Sequence, residues 1–139
     1  MALLRLLAED AEDLPVIASA TQDAVCRIGD IVFESKARRL TLTMNRYRWE
    51  GPGGERVRSA LQIGGVLGVK ARRLRRTAKD AVLELLSLEF TPGEAPGGVL
   101  TFQFAGDGDL AVTVECVDAI LADLSEPWST PRQPSHETP

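Results

Sequence analysis

Between Cys26 and Val114 the chain is written almost wholly in period two. Leu40, Leu42 and Met44 alternate with Thr41, Thr43 and Asn45, and Val57, Leu61 and Ile63 alternate with Arg56, Arg58 and Gln62. Leu67, Val69 and Ala71 continue the theme, as do Leu100, Phe102 and Phe104, then Leu110, Val112 and Val114. This spacing puts one set of side chains on one face of a strand, and the threonines favour strand as well. Turn signals divide the runs: residues 34–37, Gly51-Pro52-Gly53-Gly54, Gly64-Gly65, residues 91–98 and Gly106-Asp107-Gly108-Asp109. No crossover helix separates successive strands, so antiparallel pairing is expected.

Changes of parity add detail. Gly29-Asp30 marks a bulge or bend, and a second bulge near Asn45-Arg46 would keep Tyr47 and Trp49 facing inward. Residues 81–90 are apolar on nearly both parities, which predicts a central strand covered on each face. Helical spacing occurs at the two ends. Leu14, Ile17, Ala18, Thr21 and Val25 predict a helix over residues 10–24, with Asp13 as N-cap and Pro15 in the first turn. Val117, Ile120, Leu121 and Leu124 predict one short closing helix.

The expected fold is therefore α+β: a curved antiparallel sheet or partly open barrel of about seven strands, with an N-terminal helix and a short C-terminal helix. In plan this resembles pleckstrin-homology-type domains, a likeness of architecture that implies no ligand. A chain of 139 residues holds one domain with a genuine core. We expect it to occupy residues 1–128, followed by a flexible polar, Pro-rich tail over 129–139.

As text, the run LLAEDAEDLPVIASATQDAVCRIGDI, the segment ARRLTLTMNRYRWE and the basic stretch through RVRSAL resemble a family of short alphaproteobacterial proteins catalogued only as a domain of unknown function. The resemblance runs to about Leu124. It implies no catalytic or binding residues, so function must be read from the side chains themselves.

Charge supplies the one positive signal. From Lys36 to Lys79 there are thirteen Lys and Arg against Glu50 and Glu55 alone, whereas eleven acids and one base, Arg132, follow Lys79. Arg46 and Arg48 flank Tyr47 beside Trp49, and Lys70, Arg72, Arg73, Arg75, Arg76 and Lys79 crowd ten residues. Such a cluster attracts anionic groups through charge-assisted hydrogen bonds or counterion release. These eight cations are the candidate anion- or partner-binding residues. The competing reading is a solvated strand face neutralised by the acidic second half. In residues 72–76 alternate arginines would point to opposite faces of a strand, so we expect the segment to leave the sheet near Leu74 as an exposed turn.

Catalysis finds little to stand on. The single His136 lies in the tail, and no GxSxG, HExxH, phosphate-binding loop or Cys/His cluster is present. Asp107 and Asp109 suggest a fragment of a calcium loop but lack its other ligands, and a hairpin turn explains them. No catalytic residue, cofactor or metal site is assigned. Cys26 and Cys116 match no metal or redox spacing and read as buried, reduced thiols. With no stretch long enough to span a bilayer and no secretory signal, a cytoplasmic setting without membrane contact is expected. The leading functional reading is a non-catalytic binding or accessory domain whose basic face meets an anionic partner, an acidic protein surface before nucleic acid. The runner-up is a small enzyme or anionic-metabolite binder with an arginine-lined pocket.

Overall fold

The structure, a computed structural model, describes residues 3–130. In chain order its elements are β1 (Arg5–Ala8), α1 (Leu14–Thr21), β2 (Val25–Arg27), a 3-10 turn (Ile28–Asp30), β3 (Ile31–Glu34), β4 (Arg39–Tyr47), β5 (Glu55–Ile63), β6 (Val66–Arg72), β7 (Val82–Pro92), β8 (Gly98–Phe104), β9 (Asp109–Val114), β10 (Ala119–Asp123) and β11 (Trp128–Ser129). The strands form one open sheet in the order β1-β10-β5-β4-β2-β7-β8-β9-β6, with β3 added to β4 and β11 added to β5. Every pairing is antiparallel, as the lack of crossover helices requires. The sheet curls around a single core. Leu40 and Leu42 of β4, Leu100 and Phe102 of β8, and Val66 and Leu110 from the far end of the strand order belong to one buried cluster.

The strand total is eleven among the described residues, against about seven expected. The 3-10 turn at Ile28–Asp30 bends one expected strand into β2 and β3, and β1, β10 and β11 are additional. The closing helix is replaced by β10. Ala119 and Leu121 are buried while Ile120 and Ala122 are only partly so, which is period two. Lying between β1 and β5, β10 finds backbone partners on both sides, and a helix there would leave the edge of β5 open. The likeness to pleckstrin-homology-type domains thus loses its C-terminal helix.

The N-terminal helix is shorter than expected, ending at Thr21 where Gln22 and Asp23 leave helical geometry. Asp13 occupies the N-cap position and Pro15 the first turn, but the Asp13 carboxylate caps nothing and instead accepts the Glu9 N–H at 3.1 Å. The bulge expected at Asn45-Arg46 is absent, because β4 and β5 stay in continuous register from Leu40↔Ile63 to Tyr47↔Arg56. Nor is β7 covered on both faces. A register shift between Leu85 and Ser87 changes its inward parity, so Leu85 and Leu88 are both buried while Val82 and Leu86 are exposed. A similar shift between Val66 and Gly68 sends Leu67 out and lets Val69 and Ala71 pack toward the core. No helix among the described residues is long and apolar enough to cross a membrane.

Of the segment expected as tail, Ser129 pairs with Glu55 and the Thr130 N–H donates to the Gly54 carbonyl. The rest of that expectation, with Arg132 and His136, lies outside the described residues.

Candidate anion-binding cleft

The eight candidate cations separate into two groups. Because β4 keeps its parity, Arg46 follows Leu40, Leu42 and Met44 into the interior, where its side chain is fully buried. Its guanidinium holds two carboxylates side by side. Nη1 and Nη2 donate to Glu50 at 3.0 and 2.7 Å, while Nε and Nη2 donate to Asp123 at 3.0 and 3.1 Å. The Tyr47 carbonyl at 3.5 Å accepts the remaining N–H. Ser59 donates to Asp123 at 2.7 Å and completes the network. Burial alone would lower the Arg46 pKa, but the hydrogen bonds to Glu50 and Asp123 outweigh it and raise it. The Glu50 carboxyl is held below its ordinary value, chiefly by its hydrogen bond to Arg46. With every donor used within the chain, Arg46 ties β4, the Glu50 turn and β10 together and has no donor left for a partner.

Arg48 and Arg72 are also engaged. Arg48 bonds Glu55 at 2.5 Å, and Arg72 bonds the buried carboxylate of Asp109 at 2.5 Å. The hydrogen bond to Arg72 keeps the Asp109 pKa low. Asp109, which looked like part of a cation loop, is therefore a β9 residue facing an arginine on β6. Tyr47 is buried, with its hydroxyl accepting the Gly54 N–H at 2.8 Å and its ring edge-on to Trp49 at 4.6 Å between centroids. The pair packs at the edge of the core, and Tyr47 offers no face for stacking.

Lys70, Arg73, Arg75, Arg76 and Lys79 are exposed. The sheet ends at Arg72, and Arg73 turns the chain with a left-handed backbone, φ +57°. Two successive turns follow, closed by the Ala78 N–H on the Arg75 carbonyl and the Ala81 N–H on the Ala78 carbonyl. This is the exposed turn expected near Leu74. Leu74 itself folds back against the core beside Gly108, where a Cβ would lie 2.5 Å from its Cδ2. Glycine at 108 therefore makes the room that anchors the basic loop. Arg73 reaches Asp107 at only 4.0 Å, and Lys70, Arg75, Arg76 and Lys79 form no ion pair among the described residues.

Beneath that loop lies an apolar cleft of about 210 Å³. Ile31 and Phe33 of β3 form one wall, Val69 and Ala71 of β6 the other, Leu40 and Leu110 line its buried side, and Arg76 and Lys79 reach its lining from the loop. The backbone closes both ends. The Val66 N–H donates to the Arg38 carbonyl at 2.9 Å, and the Gly29 N–H donates to the Lys79 carbonyl at 2.9 Å. Neither β3 nor β6 has a strand on its outer side among the described residues.

A family model described as "Protein of unknown function (DUF2948)" matches residues 4–136, nearly the whole chain. The chain belongs to this family. No curated protein and no solved structure matches it. In this DUF2948 domain the exposed turn near Leu74 was legible in the sequence, whereas the cleft was not. Its lining comes from β3, β4, β6, β9 and the loop, and only the Val69/Ala71 alternation hinted at an inward face there. Cys26 is buried, its thiol raised to about 11 by desolvation and by the nearby charge of Asp30. Cys116 is only partly buried, short of the full burial of Cys26.

Proposed function

We propose that this chain is a non-catalytic, cytoplasmic binding domain that takes an anionic protein partner at the basic loop and the cleft beneath it. The observation that supports this reading is the set of cations that form no ion pair among the described residues, Lys70, Arg75, Arg76 and Lys79, beside an apolar cleft. Exposed charge brings the partner in and fixes its orientation, and apolar burial supplies affinity. Arg46, Arg48 and Arg72 belong to the frame. A nucleic-acid reading has less to support it, since Tyr47 is inside and the formal net charge is −4.

The test is capture of partners from native extract by the wild-type chain and by the triple variant Arg75→Glu, Arg76→Glu, Lys79→Glu. Loss of capture, with thermal unfolding unchanged, is the expected result. Undiminished capture by the variant would sink the proposal. Binding of generic DNA that weakens steeply with salt would replace it with the nucleic-acid reading, and a saturable thermal shift by one phosphorylated metabolite with the metabolite reading.

A further inference from the structure

We infer that the partner enters as a short extended segment of alternating apolar and acidic residues, which adds a strand to the open outer edge of β6. This rests on the proposed function and gives the partner its chemistry. Three observations carry it. The first is the edge itself: among the described residues β6 runs seven residues, pairs only with β9, and lies across the cleft from β3, whose outer edge also carries no strand. Unpaired strand edges present rows of backbone donors and acceptors, and an extended peptide satisfies them.

The second observation is size. A cleft of about 210 Å³ is smaller than the roughly 300–1,000 Å³ that encloses a small-molecule ligand. It has room for one or two apolar side chains projecting from a backbone that stays outside. The third is the two-sided character of β6. Val69 and Ala71 pack inward while Lys70 and Arg72 point to solvent. A strand laid alongside must follow the same alternation. Its inward residues meet Val69, Ala71, Ile31 and Phe33, and its outward residues meet Lys70 and, further along, the loop cations. Apolar residues are favoured at the first set and acids at the second.

The probe is a blocked five-residue peptide alternating glutamate and leucine, titrated against the full chain by two-dimensional amide NMR. Saturable shifts at residues 66–79 and in β3 are expected. Adjacent residues of a strand send their N–H groups to opposite sides, so N-methylation of the leucines or of the glutamates strips one edge at a time. The version stripped on the edge facing β6 is expected to bind about tenfold more weakly. Ala71→Leu, which fills the cleft, is expected to weaken the parent peptide similarly. Should that variant fold poorly, the N-methyl comparison still decides on the unaltered protein. If both methylated peptides bind like the parent while Arg75→Glu, Arg76→Glu, Lys79→Glu abolishes binding, strand addition is wrong and the basic-loop reading survives. If the triple variant binds the peptide undiminished, the underlying reading fails. No saturable binding at millimolar peptide also overturns strand addition, and saturable binding of octanoate in its place points to a small amphipathic acid.

Discussion

Arg46 shows how much a single residue can mislead when its partners are distant in sequence. It sits on the inward parity of β4, where a charge looks out of place, while the expected bulge followed from Tyr47 and Trp49 taking the opposite parity. What keeps the pattern intact is Asp123, 77 positions away, together with Glu50 one helical turn's spacing along the chain. Arg46→Met strands the Asp123 carboxylate, only 5% exposed, without its counter-charge. Unfolding by urea should show a loss of about 3–5 kcal/mol, and adding Asp123→Leu should recover part of it. The pH dependence follows from Glu50. Its native pKa is lowered, so its contribution is complete above the ordinary glutamate value and is lost as pH falls through the lowered one. The acid limb of the wild-type stability profile should therefore be steeper than that of Arg46→Met. The thiols make a simpler contrast: mild alkylation of the native chain near pH 8 should modify Cys116 first and reach Cys26 only on unfolding, since burial keeps Cys26 protonated.

Elements were legible where one period held from end to end. The β8–β9 hairpin could be read directly, with Leu100 opposite Val112 and Phe102 opposite Leu110 across a Gly-Asp turn. Legibility failed where a register shift or a mixed pattern broke the period. The two apolar parities of residues 81–90 belong to one face in succession, before and after the shift at Leu85, and local sequence cannot tell that from a strand covered twice. Val117, Ile120, Leu121 and Leu124 match a helix by spacing, but pairing on both sides makes the last turn of that pattern a strand. The difference is measurable. A closing helix would bury Leu121 and Leu124 alike, whereas β10 buries Leu121 completely and leaves Leu124 55% exposed. Leu121→Ala should cost about 2–5 kcal/mol and Leu124→Ala no more than about 0.5 kcal/mol, compared by chemical denaturation.

At the scale of the whole molecule the bipolar charge of the sequence resolves into cross-strand bonds. Basic β4 and β6 meet acids delivered by β9, β10 and their flanks, as Arg46–Asp123, Arg72–Asp109 and Arg38–Glu115 show. The loop after β6 stands apart from this neutralisation. Reversal of Arg75, Arg76 and Lys79 to Glu should consequently leave the melting temperature within a few degrees of wild type, whereas the same reversal at Arg46 should unfold the chain. The place of β10 between β1 and β5 also has a consequence in time. β1 is made well before its partner, which begins at Ala119, more than a hundred residues later. At about 5–20 residues per second, Leu6 and Leu7 wait on the order of ten seconds for that strand. Throughout that interval the nascent chain carries an unpaired strand, and cells that make it must keep that strand from its neighbours on the same messenger.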